Sequence, residues 1–69
     1  MSWLVKRSFT LAGHRTSVAL EDEFWKVLEQ VATDRGTSLG KLVGDIDRDR
    51  SPDRPLASLL RLYAIKIVR

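Results

Sequence analysis

Few residues of this chain have side chains suited to bond-making chemistry. Glu21, Asp22 and Glu23 are consecutive acids, and His14 is the single histidine. Carboxylates and imidazoles serve as general acids and bases when a nucleophile or substrate lies within reach. These acids instead come directly before an apolar helical pattern, where a helix N-terminus favours negative charge. The sequence has no nucleophile–base pair and no phosphate-cradling glycine loop, so we expect no enzymatic activity and no small-molecule substrate.

The composition predicts one small domain without a cofactor or a metal. The chain has 69 residues, 43% of them hydrophobic, and it has no cysteine. Chains of this size bury only about 60% of their unfolded surface, and many are stabilised by disulfides, metals or a second subunit. Disulfides and cysteine-based metal sites are excluded here, which favours oligomerisation.

Charge is distributed unevenly along the chain. Residues 1–20 carry a net charge of +3, residues 21–35 carry −3, and residues 36–69 carry +3. The isoelectric point near 9.8 permits a polyanionic partner but does not require one.

Targeting and membrane-spanning patterns are not seen in the sequence. The first residues lack an apolar core followed by a small-residue cleavage site, and no stretch is apolar for the length that a membrane helix needs. We expect a cytoplasmic protein of bacterial type with no membrane association.

Apolar and polar residues alternate over residues 15–20, which predicts a half-buried strand. Thr16, Val18 and Leu20 share one face of it, and Arg15, Ser17 and Ala19 share the other. Residues 7–11 have a similar character, but their apolar residues fall on odd positions, so residues 12–14 must contain a turn or a bulge. Two alternatives stay open for residues 6–11: a strand that pairs with residues 15–20, or an arm. The domain organisation is accordingly residues 1–14 as an N-terminal arm or extra strand, and residues 15–69 as the main domain.

Three helices follow in the pattern of apolar residues. The first ends at Gly36, and its buried stripe is predicted as Phe24, Val27, Leu28, Val31 and Ala32, with Trp25 beside it. The second begins at the N-cap Thr37-Ser38, and its stripe is Leu39, Leu42, Val43 and Ile46. The third follows the charged and proline-containing linker 47–55, and its stripe is Leu56, Leu59, Leu60, Tyr63 and Ile67.

The second predicted helix contains two glycines, although glycine has a low helix propensity. Gly40 and Gly44 each lower helix propensity by about 1 kcal/mol relative to alanine. Their presence predicts a close approach of backbone or ligand to this helix.

The string R-T-S-V-A-L-E-D-E-F-W, followed by G-T-S-L at residues 36–39, resembles the ribbon-helix-helix (Arc/MetJ-like) DNA-binding family. The longer string K-R-S-F-T-L-A-G-H-R-T-S, with S-L-L-R-L-Y near the end, is similar to a bacterial subfamily that has an extra C-terminal helix. The resemblance covers about residues 6–68. It implies a mostly α fold with a short β-ribbon, in which two chains form an intertwined homodimer.

The resemblance also implies which residues contact DNA. Two strands, one from each chain, would form a ribbon that fits a major groove about 12 Å wide. Base contacts would come from Arg15, Ser17 and Ala19, and the dimer core from Thr16, Val18 and Leu20. Phosphate contacts would come from the start of the second helix, at Thr37, Ser38, Leu39, Gly40 and Lys41. Further contacts from an N-terminal arm would come from Lys6, Arg7 and His14.

Two functions therefore stay open. The first is sequence-specific binding of double-stranded DNA by a homodimeric transcriptional regulator of repressor type. The alternative is a protein-interaction or dimerisation module, such as an antitoxin or a phage adaptor, in which Ser17 and Ala19 read no base.

Overall fold

The computed structural model describes residues 3–68 and contains a two-stranded hairpin followed by three helices. The elements, in chain order, are β1 (Leu4–Leu11), β2 (His14–Glu21), α1 (Asp22–Asp34), α2 (Leu39–Arg48) and α3 (Leu56–Val68). This order matches the fold class that the sequence predicts, a short ribbon followed by helices with an additional helix at the C-terminal side.

The strands β1 and β2 pair with each other in antiparallel orientation, and the tight turn between them is Ala12-Gly13. Both turn residues have positive φ, 51° at Ala12 and 81° at Gly13, as in the type I′ turn that suits the twist of a hairpin. The turn accounts for the switch of the apolar residues from odd to even positions. Of the two alternatives for residues 6–11, the structure has the strand.

The hairpin changes the argument for a second chain. The family resemblance implies a ribbon with one strand from each chain, whereas here β1 of the same chain pairs with β2. Val18 and Leu20 are also buried in a single chain, where they belong to its own core, and Thr16 is half-buried. The burial of these side chains therefore needs no partner, and their role in a dimer core stays a prediction.

Helix α1 turns a different face to the core than the sequence predicts. Trp25, expected beside the stripe, is completely buried, whereas Phe24 and Val27 are only half-buried. The cause is the hairpin, since the indole Nε1–H of Trp25 donates to the carbonyl oxygen of Val5 at 2.7 Å. The helix ends as predicted, because Gly36 has a φ of 67°, the left-handed conformation typical of a C-terminal cap.

Helices α2 and α3 complete one core with α1 and the hairpin. The buried residues are Leu11, Val18, Leu20, Trp25, Leu28, Val31, Ala32, Leu42, Val43, Leu56, Leu60 and Ala64. Ile67 was expected in the α3 stripe, but it is 45% exposed. No helix within residues 3–68 is long and apolar enough to cross a bilayer.

Candidate functional site

One face of the hairpin points away from the helices and is polar. We call it the outer face and define it by three residues of each strand: Lys6, Ser8 and Thr10 of β1, and Arg15, Ser17 and Ala19 of β2. All of them are exposed except Ala19, which is half-buried. The side chains between them, such as Phe9 and Val18, pack against the core. This alternation follows from the period of two in a strand.

The register aligns the outer face in three cross-strand rows. Lys6 lies opposite Ala19, Ser8 opposite Ser17, and Thr10 opposite Arg15. The two serine hydroxyls are hydrogen bonded, with 3.0 Å between their Oγ atoms. Arg15 Nη1 lies 3.4 Å from Thr10 Oγ1, to which it donates. The face therefore combines two cations with three hydroxyl groups.

Sequence reasoning missed Ser8 and Thr10. The signal was available, because the odd-numbered apolar residues of β1 leave its even-numbered residues on the opposite side. The prediction placed Lys6 and Arg7 of this stretch near DNA, but not Ser8 or Thr10, because the segment was also compatible with an arm.

The structure separates Lys6 from Arg7, which the sequence grouped as arm contacts. Lys6 is on the outer face, whereas Arg7 points toward the helices. The Arg7 guanidinium donates to Glu29 at 2.7 Å and lies 5.3 Å from the centroid of the Trp25 ring. Arg7 therefore links β1 to α1, and its contact with DNA stays a prediction. His14, the third of these residues, is exposed directly after the turn.

The start of α2 has the predicted cap. Ser38 is the N-cap, and its Oγ accepts a hydrogen bond from the backbone N–H of Lys41 at 3.1 Å. Ser38 and Lys41 are exposed, and Thr37 is half-buried. The ammonium of Lys41 lies 3.6 Å from Asp45 in an exposed ion pair, so it can exchange this partner for another anion at little cost.

The α2 N-terminus lies next to the turn end of the hairpin. A cleft of about 380 Å³ separates them, and Thr10, Ala12, Gly40 and Lys41 line it together with acidic and basic residues of α2. The cleft places Gly40 and Lys41, two of the predicted phosphate-binding residues, beside Thr10 of the outer face.

The glycines of α2 do not mark a close approach within the chain. A Cβ at Gly40 would lie 3.8 Å from Phe9, and one at Gly44 would lie 3.8 Å from Leu11. Both are ordinary van der Waals distances to side-chain atoms, so the predicted close approach of another backbone segment is not seen at these two glycines. Room for a ligand at Gly40 stays a prediction.

The last residue of β2 links the hairpin to the third helix. Arg61 Nε of α3 donates to Glu21 Oε1 at 3.0 Å. The pKa of Glu21 is lowered by a hydrogen bond from its own backbone N–H and by the Arg61 guanidinium. This carboxylate therefore stays charged and engaged by Arg61. By register, Glu21 and Leu4 form the row that follows the Lys6–Ala19 row on the same side of the hairpin.

Comparisons with known proteins agree with this architecture. A solved structure of an uncharacterized protein from Bordetella pertussis Tohama I is similar, with a TM-score of 0.82 and 29% sequence identity. The match covers 97% of this chain and 57% of that protein, so the chain spans little more than half of its length. No curated protein matches the chain. The family described as "Ribbon-helix-helix domain" matches residues 4–68, which include both strands and all three helices, and the chain belongs to this family.

Proposed function

We propose that this chain binds double-stranded DNA with the outer face of its hairpin and acts as a small transcriptional regulator. Ribbon-helix-helix domains are typically DNA-binding transcription regulators or antitoxins, and they are generally not enzymes. The observation that carries the proposal is the composition of the outer face: its three rows hold two cations and three hydroxyl groups. The carboxylate of Glu21, in the adjoining row, is paired with Arg61.

The side chains of β2 suit the edges of base pairs. Arg15 can donate two hydrogen bonds to O6 and N7 of guanine, Ser17 can donate or accept, and Ala19 can contact a thymine methyl group. A two-stranded ribbon is also a shape that the major groove admits. The bases are therefore read where Arg15 and Ser17 project into the groove.

The start of α2 is proposed as the phosphate contact. The first N–H groups of a helix have no partner within the helix, and together with the helix dipole they attract anions. The residues are Thr37, Ser38, Leu39, Gly40 and Lys41. Gly40 and Lys41 lie across a cleft from Thr10, so this corner can contact the DNA backbone beside a groove that holds the hairpin.

The protein is proposed to act as a homodimer, as ribbon-helix-helix domains typically do on DNA. Support comes from α3, where Leu62, Ile65, Ile67 and Val68 are 43–64% exposed. Ile65 and Val68 also line an apolar cleft of about 200 Å³ with Phe24 and Val27 of α1.

The same exposed apolar surface of α3 supports the alternative function, an adaptor that binds a different protein. Co-purification of a stoichiometric partner protein, with no affinity for DNA, would favour the adaptor.

The DNA-binding proposal is tested by titrating the purified protein against a library of genomic fragments at two salt concentrations. We expect selective binding that weakens as salt rises, because the release of counterions from DNA contributes less free energy to binding at high salt concentration.

Arg15→Ala should relax the sequence preference. Lys41→Ala should weaken binding to all sequences similarly and lower the salt dependence by about one counterion. Lys26→Ala serves as the control, because it removes one positive charge from an exposed position of α1. Absence of binding at low salt would overturn the proposal.

A further inference from the structure

We infer that β1 reads bases together with β2, so that each chain carries a complete two-stranded reading element. The inference rests on the proposed function and adds Ser8 and Thr10 as determinants of sequence preference. It differs from a ribbon in which each chain contributes a single strand, because both strands here belong to one chain.

The pairing of the hairpin requires both strands to enter the groove together. A two-residue turn is flanked by a hydrogen-bonded pair, here Leu11 and His14. Because the two kinds of pair alternate, the outer-face rows are non-hydrogen-bonded pairs, whose Cα atoms lie only about 4.5 Å apart. The 3.0 Å distance between the Ser8 and Ser17 hydroxyls agrees with this close spacing. A major groove about 12 Å wide that accepts β2 therefore accepts β1 as well.

The rows also match the spacing of base pairs. Successive rows are two residues apart along each strand, or about 6.8 Å at 3.4 Å per residue. Base pairs stack about 3.4 Å apart, so one row advances by about two base pairs. Three rows then span about 14 Å, which is four to five base pairs by the same spacing of about 3.4 Å. Each hairpin thus reads one short half-site.

Each β1 residue adds a distinct chemistry to its row. The hydroxyl of Ser8 can donate to a base acceptor or accept from a base donor, and its partner Ser17 has the same capacity. Thr10 accepts from Arg15, so it holds the guanidinium across the ribbon and also presents its methyl group and hydroxyl. Lys6 lies opposite Ala19, whose side chain has no charge. The Lys6 ammonium group can donate to the acceptor atoms O6 and N7 of guanine.

The test is enrichment of bound sequences from a random double-stranded library, performed with the full chain. Ser8→Ala and Thr10→Val should each reduce discrimination by about fivefold to tenfold at one or two positions of a site four to five base pairs wide. Binding to non-specific DNA should stay unchanged, because neither substitution alters charge. Ser58→Ala on α3 and Thr33→Val on α1 remove the same groups from exposed positions and should reproduce the wild-type preference.

Three outcomes separate the inference from the function on which it rests. If Ser8→Ala and Thr10→Val enrich the wild-type sequences while Arg15→Ala does not, β2 alone reads bases and the inference is wrong. If the wild-type protein binds no DNA, the proposed function fails and the inference fails with it. If the Ser8 and Thr10 variants change the enriched positions and retain the wild-type circular dichroism spectrum and melting temperature, the inference is supported.

Discussion

Arg7 on β1 and Glu29 on α1 form an ion pair with 2.7 Å between Nη1 and Oε2. The Arg7 guanidinium also lies over the ring of the buried Trp25, so it connects the inner face of the hairpin to the first helix. The preceding residue, Lys6, points in the opposite direction and is exposed. Two consecutive cations therefore have separate roles, one in stability and one on the outer face.

Arg7→Ala should lower the free energy of unfolding by about 1 kcal/mol, the sum of a partly exposed ion pair and a cation–π contact. The Arg7 and Glu29 side chains are 33% and 46% exposed, so solvent screening limits the contribution of the ion pair. Urea unfolding measures the change. Lys6→Ala removes the same charge one residue earlier and should leave stability within about 0.5 kcal/mol of wild type. Equal losses in the two variants would contradict the separation of roles.

Trp25→Phe should destabilise the protein by about 2 kcal/mol, because it leaves a cavity and removes the hydrogen bond to the Val5 carbonyl. Trp3 provides the matched control, since it is 76% exposed whereas Trp25 is fully buried. Trp3→Phe should therefore leave the unfolding midpoint unchanged. It also isolates the fluorescence of Trp25, whose emission should shift to longer wavelength when urea unfolds the chain. A Trp3→Phe variant as unstable as Trp25→Phe would argue against the described core.

Ala12 occupies a left-handed conformation, with a φ of 51°, that an L-residue with a Cβ adopts at a cost of about 1–2 kcal/mol. Asparagine tolerates this conformation better, and Asn-Gly is the preferred pair for a type I′ turn. Ala12→Asn should therefore raise the melting temperature by several degrees, which calorimetry can measure. The reverse substitution at the next position, Gly13→Ala at a φ of 81°, should lower it. A rise in both variants would be inconsistent with the described turn.

Residues with strong local preferences made much of the fold predictable. Gly36 ends α1, Ser38 caps α2, and the change of apolar parity between Leu11 and Val18 indicates the turn. These signals act over a few residues, so they are visible in the sequence. They also led to the correct assignment of the outward side of β2.

Features that depend on contacts between distant segments were not predictable in the same way. Trp25 was placed beside the stripe of α1, because the period of a helix leaves the edge of an apolar face undefined. Its position was decided by Val5, which lies 20 residues earlier in the chain. The outward role of Ser8 depends likewise on its pairing with Ser17. The outward side of β2 and the cap of α2 were therefore predicted, whereas the outward side of β1 was not. The roles of these residues in binding stay predictions.

Stability should depend on pH through Glu21. The pKa of its carboxyl group is lowered from the usual 4.5 by a backbone hydrogen bond and by Arg61. The unfolded chain therefore takes up this proton at a higher pH than the folded chain does. The contribution of the Glu21 carboxylate to the free energy of unfolding is present above about pH 4.5 and is lost as pH falls through the lowered pKa.

The measurement is the urea midpoint between pH 7 and pH 3. As the pH is lowered, this midpoint should fall less for Glu21→Gln than for wild type. Asp53→Asn, which neutralises an exposed acid in the loop before α3, is the control and should keep the wild-type fall. Equal acid sensitivity of Glu21→Gln and wild type would contradict the assignment.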